Sequence, residues 1–233
     1  MKRTTIRRLG LSCALACTAA IWTAPLQADT AAERLAESAL VLKEVLDAPD
    51  QGIPADLLNS AYCLVVVPGV KKVGLVVGAK YGRGFVVCRN PLAEWGAPAA
   101  VRMEGGSFGF QIGASETDVI MLVMDKRSMD GILSSRFTLG GAAEVSAGPV
   151  GRSSTAQTDA TMRAKILSYS RSRGVFAGLA LSGATLRQDL DENKEMYGRS
   201  LSNKEIMKGG VKPPAAAADL LALLRQYSKP KAD

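Results

Sequence analysis

Two stretches have residue types and spacing that could do chemistry. Gly105-Gly106-Ser107-Phe108-Gly109 has the form of a nucleophile elbow. That motif needs a sharp strand-to-helix turn and a histidine base. The chain contains no histidine, and the residues around Ser107 alternate like a strand. Asp189-Leu190-Asp191-Glu192-Asn193 opens like a calcium loop. Lys194 then stands where the turn glycine belongs, and Ser200 where the bidentate glutamate belongs. The segment therefore reads as a solvated helix face. An enzyme with a carboxylate site at Asp189, Asp191 and Glu192 is a third alternative. Without histidine there is no imidazole base, no His-activated nucleophile and no imidazole zinc ligand. No phosphate-binding loop or dinucleotide fingerprint occurs. No catalytic residue, metal ligand or cofactor is assigned, and the chain is read as not an enzyme.

What remains is the placement of charge. Residues 57–93 hold Lys71, Lys72, Lys80, Arg83 and Arg89 and no acid. Residues 160–188 hold Arg163, Lys165, Arg171, Arg173 and Arg187 and no acid. By contrast, 29–56 hold seven acids and two bases. If the two basic windows fold side by side, they form a surface for anionic headgroups, worth about 1 kcal/mol per basic residue near a membrane. The alternative is cations scattered over separate turns and paired with acids elsewhere.

The formal charge of +7 overstates the basicity of the working protein. Lys2, Arg3, Arg7 and Arg8, an apolar run from Leu9 to Trp22 and a small residue at Ala28 make 1–28 an expected export signal. A lipoprotein signal processed at Cys13 or Cys17 is the lesser alternative, because Ala14-Leu15-Ala16-Cys17 is a poor lipobox. Removing 1–28 takes four bases and no acid, leaving about +3. Nucleic acid is then not an expected partner. Cys63 and Cys88 are left, on either side of an expected strand at 73–80. In an oxidising compartment they can form a disulfide; the alternative is two buried thiols.

The elements that must position these residues follow from periodicity. Helices are expected at 29–47, with a Thr30/Glu33 capping box, and at 54–61. Strands are expected at 62–67, 73–80, 84–89, 99–104, 107–112, 118–125, 142–147, 166–170 and 175–186. Turns at Pro68-Gly69 and Tyr81-Gly82 separate the first three. A helical crossover at 128–134 interrupts the series. Helices at 187–196, 203–208 and 219–227 follow, the last with Leu220, Leu223 and Leu224 on one face and a Pro/Ala linker at 212–218 before it. Eighteen of the 23 glycines lie between Gly69 and Gly183. Glycine inside strands allows bulges and close backbone approach. Together these predict one α+β domain, 29–233: a strongly curved, partly barrel-like antiparallel sheet with flanking N- and C-terminal helices.

Four blocks, in order, carry a resemblance. They are Val67-Pro68-Gly69-Val70-Lys71-Lys72 with Gly78, Tyr81-Gly82-Arg83-Gly84 and Cys88-Arg89; Gly105-Gly106-Ser107 with Gly109, Gln111-Ile112-Gly113 and Thr117-Asp118; Gly148-Pro149-Val150-Gly151-Arg152; and Tyr169-Ser170-Arg171-Ser172-Arg173-Gly174 with Phe176-Ala177-Gly178 and Gly183. The last runs on into Asp191, Asn193, Tyr197 and Gly198. The chain resembles the SYLF domain, also called the Ysc84-like or DUF500 family. That resemblance implies lipid binding, with phosphoinositide recognition and actin binding in eukaryotic members. Those members are described as using an N-terminal amphipathic helix on membranes. The equivalent here, 29–47, carries more acid than base and is expected to pack on the sheet instead. For an exported member the expected partner is an anionic phospholipid or membrane surface in the periplasm or cell envelope. Headgroup contact is expected at Lys71, Lys72, Lys80, Arg83, Arg171 and Arg173. An envelope scaffold that binds another protein is the alternative.

Overall fold

A helix begins at Ala31 because Thr30 closes both halves of a capping box. Its side chain accepts from the Glu33 backbone N–H, while the Glu33 carboxylate accepts from the Thr30 backbone N–H at 2.8 Å. In the computed structural model, which describes residues 29–48, 52–74, 77–108, 113–141, 143–150, 164–172, 175–178, 181, 183–208 and 210–229, this helix is α1 (Ala31–Asp47). Its apolar stripe, Leu35, Ala39, Leu42 and Val45, is buried, so α1 packs on the sheet as expected. The expected export signal at 1–28 lies outside the described residues.

The short α2 (Ala55–Ser60) leads into β1 (Cys63–Gly74) and β2 (Val77–Cys88). Then come β3 (Ala99–Phe108), β4 (Gly113–Val123), α3 (Lys126–Ile132), β5 (Arg136–Thr138), β6 (Val145–Ala147), β7 (Ile166–Ser172), β8 (Val175–Gly178) and β9 (Thr185–Gln188). The chain continues through α4 (Leu190–Tyr197), α5 (Asn203–Lys208), a 3-10 turn at Ala215–Ala217 and α6 (Ala218–Tyr227). Among the described residues the strands form one sheet in the order β5-β9-β3-β2-β1-β4-β7-β6, with β8 also paired to β7. The sheet curls strongly but stays a half-barrel, because its end strands β5 and β6 do not pair with each other. Among the named strands every pairing is antiparallel except β6 with β7.

Both faces of the sheet are covered. Leu64, Val66, Phe85, Ile120 and Tyr169 form one apolar layer under α1, α2 and α6. Val65, Val86, Met103, Met121 and Ile166 form the other, against Ile132 of α3 and Ile206 of α5. Two-sided burial explains why β1 reads as a continuous apolar run rather than an alternation.

The structure redraws several expected boundaries. Two long strands replace the three expected between 62 and 89. Pro68-Gly69 is a bulge inside β1 rather than a turn, and the register to both neighbours slips there. Gly69 takes φ +55 and donates its N–H to Asp118 Oδ1 at 2.9 Å. Gly84, facing this bulge, has no room for a side chain: a Cβ would stand 2.0 Å from the Val66 carbonyl oxygen. Cys63 and Cys88 therefore lie on adjacent strands, directly opposite each other, and are bridged. Closing that 25-residue separation contributes about 3.5 kcal/mol. The expected strand at 175–186 divides into β8 and β9. The expected strand at 99–104 runs on to Phe108 in β3, while 109–112 of the expected strand at 107–112 lie outside the described residues. Arg187 belongs to β9, not to a helix.

Candidate functional site

Alternation within β1 decides where the predicted cations point. Lys72 stands directly opposite Lys80 of β2, so these two share a face. Lys71 points to the other face, in a row with Tyr81 of β2 and Glu116 of β4. All three lysines lie at the end where β1 gives way to β2, β3 finishes and β4 starts. Val73 and Tyr81, beside them, are 53% and 47% exposed. This hairpin end is a compact cationic and apolar tip.

Arg83 and Arg171 lie elsewhere and are already engaged. Arg171 on β7 is paired with Asp118 at 2.8 Å and with Glu44 of α1. Arg83 is bonded to Asp189 through Nε at 2.9 Å and Nη2 at 2.7 Å, with Glu192 3.3 Å away. Arg173 falls outside the described residues. The five described headgroup residues do not share one surface: Lys72 and Lys80 are brought together on one face, while Lys71 at the same tip lies on the other face, which Arg83 and Arg171 occupy farther from the tip.

The acidic run at 189–193 is not the solvated helix face that its composition suggests. Asp189, Glu192 and Asn193 are each no more than 1% exposed. Asp189 caps α4 and, besides Arg83, has Arg102 Nε at 3.6 Å. Glu192 accepts from Arg34 of α1, whose side chain is almost fully buried. Burial pushes the Glu192 carboxyl above its ordinary value against the pull of Arg34 and Arg83. Burial also works against the Arg83 charge, but the Asp189 and Glu192 carboxylates outweigh it and raise that guanidinium's pKa. Asn193 accepts from the Ala100 N–H at 2.8 Å and donates to Leu201 O and Asn203 Oδ1. Asn203 in turn donates to Ala100 O at 3.0 Å. The network ties α1, α4 and α5 to β2 and β3.

Sequence reasoning missed the row that explains these acids. Arg83, Arg102, Arg187 and Arg136 stand in continuous cross-strand register over β2, β3, β9 and β5. Like charges directly opposite are destabilising, and Asp189, Glu192 and Glu104, the last 3.2 Å from Arg187, offset them. Ser107 lies inside β3 opposite Gly78, not at a strand-to-helix turn.

The architecture is thus a glycine-rich half-barrel clamped by terminal helices and an internal arginine–carboxylate network. The chain belongs to the Ysc84 family, described as "Las17-binding protein actin regulator", whose model matches residues 104–227. It is 33% identical over 182 residues to SH3 domain-containing YSC84-like protein 1 of Rattus norvegicus, covering 78% of this chain and 53% of the rat protein. It is 34% identical to LAS seventeen-binding protein 3 of Saccharomyces cerevisiae (strain YJM789), over 75% of this chain and 39% of that protein. Against Protein YSC84 of Saccharomyces cerevisiae (strain ATCC 204508 / S288c) the identity is also 34%, over 75% of this chain and 38% of the relative. The chain thus spans about half the length of the rat relative and less of the yeast ones.

Proposed function

We propose that this chain is a non-catalytic lipid-binding module of the cell envelope that docks on anionic membrane surfaces through its hairpin tip. The carrying observation is the clustering of Lys71, Lys72 and Lys80 beside exposed Val73 and Tyr81, at the end of the sheet remote from the disulfide. Docked edge-on, the tip brings both faces, and so all three lysines, into the headgroup layer. Val73 and the Tyr81 ring reach the interface, where amphipathic aromatics are favoured. Each lysine contributes about 1 kcal/mol, roughly fivefold in affinity. Arg83 and Arg171 hold the fold rather than the lipid in this reading. Export to the periplasm or envelope, inferred from 1–28, supplies the membrane.

The test is co-sedimentation with phosphatidylcholine vesicles, with and without phosphatidylglycerol, across a salt series. Lys71→Glu/Lys72→Glu/Lys80→Glu is expected to lose at least about a hundredfold in binding to the anionic vesicles, and wild-type binding to weaken with salt. Unchanged binding by the triple variant overturns the assignment. A second reading, a protein-interaction domain, is favoured by the relatives named for binding Las17. Partners retained in high salt and detergent support it.

A further inference from the structure

A cleft of about 610 Å³ lies at the opposite end of the sheet, beside the Cys63–Cys88 bridge. Lys72 is nine steps along β1 from Cys63, about 30 Å of strand, so the cleft is distinct from the tip. Its apolar lining comes from Tyr62, Met129, Leu133 and Met207. Methionines adapt to varied apolar shapes, and the volume suits a small molecule.

The charge on this cleft is unbalanced. Arg89, Lys126 and Lys208 line it against Asp130 alone, and none of the four is in an ion pair among the described residues. Arg89 is the unusual one. Its guanidinium is held by three backbone carbonyls, Ala61 O at 3.1 Å, Ala93 O at 2.8 Å and Asn59 O at 3.4 Å. It lies 4.3 Å from the centre of the Trp95 ring. Trp95 is fixed in turn by its Nε1–H, which donates to Ser228 Oγ at 2.7 Å. Burial disfavours the Arg89 charge, and no carboxylate among the described residues lies within ion-pair distance. Three of its five N–H groups are used, which leaves donors for a ligand. Such a cation, immobilised and lacking a counter-ion at the edge of an apolar cleft, is pre-organised for an anion.

We propose that this cleft binds a small amphipathic anion, a single carboxylate or phosphate monoester on an alkyl chain. Arg89 and the flanking Lys126 and Lys208 take the headgroup, and Met129, Leu133 and Met207 take the chain. A free fatty anion and a membrane phosphatidate both present this chemistry.

Calorimetric titration of the full chain with decanoate and with decyl phosphate tests this, using decanol and inorganic phosphate as controls. Saturable one-site binding of both decyl anions is expected, with decanol and inorganic phosphate at least about tenfold weaker. Lys126→Glu/Lys208→Glu, both exposed, is expected to weaken decanoate binding about tenfold or more with an unchanged unfolding midpoint. Met207→Trp, which fills the cleft, is expected to abolish it. Lys72→Glu/Lys80→Glu at the tip leaves it unaltered, which separates failure of this site from failure of the membrane reading. Displacement of decanoate by phosphatidate vesicles, whose headgroup is a phosphate monoester, assigns the ligand to the membrane, and no displacement assigns it to a free anion. Decanol or inorganic phosphate binding as tightly as decanoate, unaffected binding in Lys126→Glu/Lys208→Glu, or no saturable binding overturns the proposal.

Discussion

Glu192 shows how much of this fold rests on single buried charges. Its carboxylate answers two arginines from distant parts of the chain, Arg34 of α1 and Arg83 of β2. Removing one partner of a buried pair leaves the other charge desolvated, a larger loss than the pair's own net contribution. Glu192→Ala is therefore expected to destabilise by about 3–5 kcal/mol, measured by urea unfolding. A loss below about 1 kcal/mol, the scale of an exposed pair, would show that the network is not desolvated. None of this was visible at 189–193. A cluster of acids on a helical segment reads as solvent-facing, and its partners lie at 34, 83 and 102. Only strand register brings them there. The arginine row was hidden for the same reason: Arg83, Arg102, Arg136 and Arg187 share no spacing in the chain.

At the scale of elements, local signals were legible where capping and periodicity act within a few residues. The Thr30/Glu33 box placed α1 to within two residues, and 203–208 is α5 as expected. The α3 start shows the same economy. Asp125 caps it, accepting from the Ser128 N–H at 2.9 Å and the Ser128 hydroxyl at 2.6 Å. Partial burial opposes the carboxylate, but the Ser128 side chain and the Ser128 and Arg127 backbone N–H groups outweigh it and hold its pKa below the usual value. A depressed pKa places the cap's contribution above the ordinary aspartate range, and it is lost as pH falls through the folded value. Asp125→Ala is expected to cost about 1 kcal/mol near neutral pH. The gap to wild type should close below about pH 4, read from unfolding midpoints across that range. A gap independent of pH would remove the carboxylate from the account. Strands were less legible. Glycines at 69, 82 and 84 look like turn punctuation, yet they lie within long strands, because backbone crowding at the bulge is a tertiary fact. Three-residue β5 is too short for any period to register.

At the scale of the whole molecule, the two ends of the described chain close one apolar layer. Leu35, Leu42 and Val45 of α1 pack in the same cluster as Leu220, Leu221 and Leu224 of α6. The Tyr227 hydroxyl donates to Asp47 where the two helices meet. Ending the chain before Ala218 is expected to abolish cooperative unfolding, since three buried leucines, each worth about 1.5–3 kcal/mol, leave together. A truncated chain with a sharp thermal transition at the wild-type midpoint would contradict this. The general outline, α+β with a curved glycine-rich sheet between terminal helices, was readable because glycine density and Val-rich runs survive without knowledge of register. The same closure carries a consequence in time. During synthesis α1 emerges long before its partner helix, so the apolar stripe of α1 waits while the whole sheet between them is made. Contacts of such long sequence separation form slowly, and the nascent protein is at its most aggregation-prone in that interval.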